Sequence, residues 1–349
     1  MQLNERASRF PLAPLLLIAP FFLWGTAMVA MKGVIDHTTP MFMAGVRIIP
    51  AGVLILIAGA LMGKPLPRSK TAWLWITLFA LVDGTMFQGF LAQGLVRTGA
   101  GLGSVMIDSQ PLAVALMSLW LFKERIGLWG WLGLGLGVTG ISFIGLPHEL
   151  ILSLISSNIT FSPQSLIFNP YSLFESGEWL MLLAALSMAV GTVLIRYVTK
   201  YTDPVMATGW HMILGGLPLW GISAFTETQQ WSNLSPYDWT ALSYATIFGS
   251  AIAYALFFYF ASSGNLTSLS SLTFLTPVFA LCFGNLLLGE VLSSIQWTGV
   301  GLTLISVYLI NQRDTFGRKT NLTVKEIAVV QQQKTATVTV RKSESQVMR

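Results

Sequence analysis

Four ionisable side chains fall inside long apolar stretches: Arg47, Asp83, Asp108 and His211. A charge in hydrocarbon costs about 3 kcal/mol or more, so such groups face a partner or a watery cavity. Arg47 lies seven residues past Pro40, and Asp108 about eight residues into its own apolar stretch. On helices both would sit roughly 10–12 Å deep from the same side. They are therefore expected either to pair with each other or to hold the carboxylate and amine of a zwitterionic solute. Asp83, ten residues into its stretch, falls near the midplane, where a carboxyl can carry a proton through a conformational cycle. His211 titrates near neutrality, but one histidine between Trp210 and Met212 is as readily a hydrogen-bonded core residue.

A second group is polar without being charged. Ser104, Asp108, Pro111 and Ala115 follow the spacing i, i+4, i+7, i+11 and share one helix face; Ser270 and Pro277 repeat part of it later. Proline frees a carbonyl and kinks a helix, and small residues let helices approach, so this face can pack and line a cavity together. Trp24, Trp210, Tyr254 and Tyr259 could stack on an apolar or aromatic solute, although 12 Trp and 21 Phe mean that most aromatics face lipid or core. Glu124 and Glu290 fall at helix ends, where orienting or capping is the expected role.

Other chemistry is missing from the string. There is no Walker motif, no HExxH, no GxSxG and no Cys/His cluster, and Cys282 is the single cysteine. No metal, no cofactor and no enzymatic activity are expected. Gly133, Gly135 and Gly137 lie in an apolar stretch, so they read as close helix packing rather than a nucleotide loop.

The elements that carry these residues follow from composition. Of 349 residues 53% are hydrophobic and 10% are charged, against about 25% charged in soluble domains. That excludes a disordered chain and a soluble globule, and leaves a protein that spans a membrane many times. A helix crosses in about 20 residues. Ten windows fit: 12–31, 40–62, 73–95, 101–122, 127–147, 178–197, 205–225, 239–262, 267–288 and 294–312. They do not alternate as barrel strands do, so an all-α fold of ten transmembrane helices is expected.

The chain also repeats itself. Pro111…Glu124 recurs as Pro277…Glu290, an offset of 166 that also carries Gly25-Thr26 onto Gly191-Thr192, Trp73 onto Trp239, Ser104 onto Ser270, Trp131 onto Trp297, and Gly133 and Gly135 onto Gly299 and Gly301. Near the second helix the offset slips to 164, taking Pro40…Arg47…Gly52 onto Pro204…His211…Gly216. Residues 12–147 and 178–312 are then two five-helix copies. Because five is odd, consecutive copies must insert with opposite orientation, as two inverted repeats around a midplane site. Residues 1–11 would be an N-terminal segment, 148–177 an outer connection, and 313–349 a basic, disordered tail.

Charge fixes the expected orientation. With the N-terminus inside, 17 of 20 Lys and Arg fall in cytoplasmic segments, eight of them in the tail. Asp36, Glu149, Glu175, Glu178, Glu227, Asp238 and Glu290 fall outside. The tail alone carries the net charge of +5, so no nucleic-acid surface is needed.

Several stretches together resemble the EamA family of the drug/metabolite transporter superfamily: Leu23-Trp24-Gly25-Thr26, Pro111…Leu121-Phe122-Lys123-Glu124, Pro277…Leu288-Gly289-Glu290 and Gly249-Ser250-Ala251-Ile252-Ala253-Tyr254. The resemblance covers about residues 12–312, departing at the long connection 148–177 and at Phe122-Lys123 where the second copy has Leu288-Gly289. It implies ten helices, cytoplasmic termini, a central cavity, and export of amino acids or other small metabolites.

The reading is thus a secondary transporter in a cell membrane, with a small-molecule substrate, the bilayer as its surroundings, a proton or counter-solute as coupling partner, and a monomer or homodimer as assembly. Two rivals remain: an exchanger of sugar phosphates or nucleotide sugars, disfavoured by the single buried Arg, and a membrane receptor or assembly protein without transport. A reporter fused after Arg349 should read as cytoplasmic; an external signal would overturn the orientation.

Overall fold

A computed structural model describes residues 13–31, 33–97, 106–145, 177–288 and 293–313. The N-terminal segment, the connection 148–177 except its last residue, and most of the tail fall outside these, as do Ser104 and Glu290. The described chain is nearly all helix, without strands. The elements are α1 (Ala13–Met31), α2 (Pro40–Leu61), α3 (Lys70–Arg97), α4 (Gln110–Phe122), α5 (Gly127–Gly145), α6 (Gly177–Val198), α7 (Pro204–Thr226), α8 (Pro236–Ser263), α9 (Leu266–Leu288) and α10 (294–313).

Seven of these, α1, α2, α3, α5, α6, α8 and α9, are long and apolar enough to cross a membrane. The other three windows are less clear-cut spans. The described part of α4 has 13 residues. In α7 the packing residues Gly209, His211, Gly215 and Gly216 take the place of aliphatic ones and dilute its apolarity.

Local sequence sets the helix ends. Ser69, Asp203, Ser235 and Asn265 lie just before α3, α7, α8 and α9, and each accepts from a backbone N–H of the first turn. Pro40, Pro204 and Pro236 open α2, α7 and α8, where a missing N–H costs nothing. Pro111 turns out to be of this kind too. It stands in the first turn of α4, after a turn at Asp108-Ser109, rather than kinking a helix interior. Pro277 likewise follows a 3-10 break at Leu272–Phe274 within α9.

Both α3 and α8 contain a π-helical stretch at matching places, Ala80–Phe87 and Ala245–Ile252. Such insertions widen the helix and often mark functional positions.

The most extensive contact joins α2 to α7, antiparallel. A Cβ on Gly52 would lie 2.6 Å from the Gly209 carbonyl oxygen, one on Gly45 would overlap Trp220, one on Gly59 would meet Met206, and one on Gly216 would meet Ile49. The same device, also antiparallel, joins α5 to α10: Gly133 lies against Ile310 and Ser306, and Gly140 against Gly299 and Thr303. The packing expected of Gly133 and Gly137 is therefore observed, whereas Gly135 faces open space. Without a hydrophobic drive between helices in lipid, close backbone approach is a main source of attraction.

Two glutamates pin the copies to each other. Glu124, just after α4, accepts from Leu266 and Thr267 N–H at 3.2 and 3.4 Å and from the Thr267 hydroxyl, closing the start of α9, and it pairs with Arg196 at 3.4 Å. Glu227, after α7, accepts from Met41 and Phe42 N–H at 2.9 and 3.0 Å and from the Thr39 hydroxyl. Each carboxylate also meets the positive end of a helix dipole. The capping expected of Glu124 is present; Glu227 was not foreseen in that role.

Gly52→Ala should destabilise the protein by about 1–3 kcal/mol through overpacking, seen as a lower midpoint in detergent-titrated unfolding; an unchanged midpoint would mean that α2 and α7 can part freely. Glu124→Gln keeps the shape but removes the charge, and should lower the same midpoint by about 1 kcal/mol.

Candidate functional site

A cavity opens where α1, α2, α3, α4, α6, α8 and α9 converge, so both sequence copies line it. Its wall is mostly apolar, with Met28, Met31, Met43 and Met188 among it. Thioethers are flexible and polarisable, which suits solutes of varied outline. An aromatic cluster closes one side: Trp24 meets Tyr254 edge-on at 5.2 Å and Phe257 at 5.1 Å.

Polar groups enter this apolar wall at few points. Arg47 donates from one guanidinium nitrogen to Gln88 Oε1 and from another to Met31 Sδ, at 3.7 Å. Gln88 in turn donates from Nε2 to the Tyr254 hydroxyl at 2.7 Å. The three form one chain from α2 through α3 to α8. Asp108 lines the same cavity, whereas the hydrogen bonds of Arg47 go to Gln88 and Met31.

Four polar atoms of lining residues are buried without a hydrogen-bond partner: Trp24 Nε1, Arg47 Nε, Gln110 Oε1 and Thr276 Oγ1. Two of them are donors, one is an acceptor, and the hydroxyl can be either. A buried polar atom left unpaired costs about 1–3 kcal/mol, so four on the residues of one cavity are a concentration that ordinary packing does not explain.

A separate polar site lies one turn deeper along α3. Asp83 is wholly buried in the π stretch, and its Oδ2 stands 3.1 Å from His211 Nε2. His211 Nδ1 lies 2.7 Å from the Thr208 carbonyl oxygen. The ring is stacked on Phe79, with centroids 4.0 Å apart, and Phe258 meets it edge-on. Asp83 and His211 are not among the described residues that line the cavity, where both were expected; Asp83 lies in the π stretch and meets Gly191 of α6 and His211 of α7. Its carboxyl rests on Gly191, where a Cβ would come within 2.4 Å of Oδ1.

The remaining expected residues divide. Trp24, Arg47, Asp108 and Tyr254 are in the cavity wall. Pro111, Ser270 and Pro277 are buried in packing, Ser270 bonding within its own helix at the Thr267 carbonyl. Trp210 packs edge-on against Trp73, and Tyr259 is exposed on the outer surface. Gln88, Gln110 and Thr276 were not among the expected residues, because an isolated amide or hydroxyl stands out less in an apolar helix than a charge, an aromatic ring or a face of small residues. A signal was present. Gln88 and Tyr254 are 166 residues apart, and Gln110 and Thr276 stand at the same offset, so the repeat interval pairs the polar residues of the wall.

The EamA-like transporter family matches this chain twice, over residues 11–146 and 175–312. The uncharacterized transporter sll0355 of Synechocystis sp. is 61% identical over 314 residues, covering 90% of this chain and 94% of that protein. The chloroplastic WAT1-related protein At3g02690 of Arabidopsis thaliana is 53% identical, covering 84% and 68%. A solved crystal structure of a protein shares the fold with a TM-score of 0.69 at 16% identity, covering 84% of this chain and 94% of its own. Apolar helices, a cavity lined from both copies and these likenesses agree: the chain belongs to the EamA-like transporter family, of the drug/metabolite type, and is an integral membrane protein that transports small molecules.

Proposed function

We propose that the chain exports small amphipathic metabolites, zwitterionic amino acids with apolar side chains foremost, from the cytoplasm by alternating access between two inverted five-helix halves. The observation that carries this reading is the cavity wall. Arg47 and Trp24 Nε1 offer donors for a carboxylate, Gln110 Oε1 offers an acceptor for an ammonium group, and the methionines and Phe87 offer an apolar bed for the side chain.

Three features support inversion of the halves, residues 12–147 and 178–312. The repeat counterparts α2 and α7 pack antiparallel, as do α5 and α10. The π stretches fall at equivalent places in α3 and α8. The family matches each half by itself. The two halves would then rock about the α2–α7 seam, with both termini in the cytoplasm and the protein in the cell membrane.

A phosphate-bearing solute fits less well. Arg47 is the one Lys or Arg among the described lining residues, and phosphate recognition calls for several charge-assisted donors. A non-transporting receptor has no support in the wall chemistry.

The test is reconstitution into liposomes, with uptake of labelled phenylalanine and of labelled phenylalaninamide, which lacks the carboxylate. Wild type should move phenylalanine. Arg47→Gln should raise its KM about tenfold or more, since a charge-assisted hydrogen bond contributes about 1.5–3 kcal/mol, and should leave the amide little changed. Equal losses for both solutes would remove Arg47 from carboxylate recognition, and absence of flux across all twenty amino acids would overturn the proposed substrate class.

A further inference from the structure

We propose that Asp83 and His211 together form a single proton-binding site, distinct from the solute cavity, whose proton locks α3 onto α7 and couples a proton gradient to transport. The proposal rests on the transporter reading above, and its geometry is independent of any solute.

The ring nitrogens settle the protonation pattern. A carbonyl oxygen only accepts, so His211 Nδ1 carries a hydrogen and donates to Thr208 at 2.7 Å. That leaves Nε2 as the atom facing Asp83 Oδ2 at 3.1 Å. A hydrogen bond there needs one more proton, on either the nitrogen or the oxygen. With it the pair is neutral overall. Without it a carboxylate faces an imidazole lone pair, two acceptors in contact, with Asp83 at 0% and His211 at 1% exposure.

The surroundings leave this pair to itself. From α6 comes Gly191, without a side chain; from α7, beyond His211, Gly215; from α8, Phe258 and Tyr254; and from α3 itself, Phe79. Tyr254 is the titratable group within electrostatic reach of Asp83, and Arg47 acts on Tyr254 from the cavity side. Asp83 Oδ1 has no hydrogen-bond partner. Loss of the shared proton thus leaves an anion that no cation at the pair offsets, and water must enter to solvate it.

The place of the pair makes that entry mechanical. Just beside it α3 and α7 are in backbone contact: a Cβ on Gly215 would lie 2.4 Å from Gly84 Cα, and Thr85 donates to the Gly215 carbonyl at 2.8 Å. A proton held between Asp83 and His211 closes this seam. On release the O–H or N–H bond breaks, the proton passes to water, and the carboxylate and neutral imidazole part. In the proposed orientation His211 lies toward the cytoplasm from the cavity, so release opens the cytoplasmic side for loading. The result is proton entry exchanged for solute exit: the Gln88–Tyr254 hydrogen bond lies between the two sites and parts in the outward-open state, when the proton reaches the pair through the emptied cavity.

Infrared titration of the purified full-length protein in lipid nanodiscs tests the site without a solute. A titrating band of the pair, a carboxyl C=O stretch with the proton on oxygen or an imidazolium ring mode with it on nitrogen, should be present in wild type, absent from Asp83→Asn and lost or displaced in His211→Gln. A band that persists unchanged in Asp83→Asn, or no titrating band at all, overturns the proposal. Proteoliposomes with labelled phenylalanine then test coupling. Asp83→Asn and His211→Gln should lose gradient-driven accumulation at least tenfold and keep exchange of internal for external phenylalanine within about twofold. Retained gradient-driven accumulation overturns coupling through the pair. If exchange is lost as well, Asp83→Glu, which restores the carboxyl, must recover both activities; failure to do so also overturns it. Absence of phenylalanine flux in wild type, with the infrared band behaving as stated, would instead refute the proposed substrate and leave the proton site standing.

Discussion

Everything in this structure hangs on the backbone-to-backbone contact of α2 with α7. It needs glycine at Gly52 and Gly209 together: a Cβ on Gly52 would lie 2.6 Å from the Gly209 carbonyl oxygen, and one on Gly209 would lie 2.7 Å from the Leu56 side chain and 3.1 Å from the Gly52 carbonyl oxygen. In lipid no water is released when two apolar helices meet, so attraction comes from the number of atoms that reach van der Waals distance. Removing side chains at the contact is what brings those atoms close. Glu227 then holds the start of α2 at the end of α7, and Lys64 pairs with Asp203 at 3.1 Å at the other end. The seam is clamped at both ends and smooth between, which suits an axis about which neighbouring helices move.

From that seam the polar residues of the interior take their places. Arg47 is carried by α2 and His211 by α7, and the helices run in opposite directions, so the two side chains point to different depths. Arg47 reaches the cavity and the Gln88–Tyr254 chain; His211 reaches Asp83 below it. One packed pair of helices thus supplies a cation to one site and an imidazole to the other. Moving either helix must disturb both sites, which is the physical requirement for coupling them.

Much of this was legible in the string. Long apolar runs, cytoplasmic-type basic clusters and the 166-residue interval are properties of composition and spacing, and helices follow from them because lipid leaves no other way to satisfy a backbone. Trp24, Arg47, Asp108 and Tyr254 were found because charged or amphipathic groups stand out against Leu and Phe. The partners were harder to find. Arg47 was matched with Asp108 by depth alone, whereas its actual partner is an uncharged amide on a third helix. Asp83 was placed by its depth near the midplane, which says nothing of the neighbours it meets; in the structure it lies in the π stretch Ala80–Phe87 against His211 of α7 and Gly191 of α6. Pro111 read as a kink because helix starts are poorly marked when both sides are apolar.

The chain Arg47–Gln88–Tyr254 is where the two sites touch, and its chemistry limits how they can communicate. Gln88 does not titrate, so a proton cannot pass through it by changing its charge. It can only reorient, releasing Arg47 or Tyr254 when a solute competes for the guanidinium. A carboxylate bound at Arg47 would free the amide, and Tyr254, within electrostatic reach of both Arg47 and Asp83, would then feel a changed field. Communication between solute and proton in the proposed cycle is therefore a matter of hydrogen-bond exchange and electrostatics across a gate that parts when Gln88 reorients, not of a permanent proton wire. A gate of that kind would limit proton leak while the chain is intact and still make each site sensitive to the occupancy of the other.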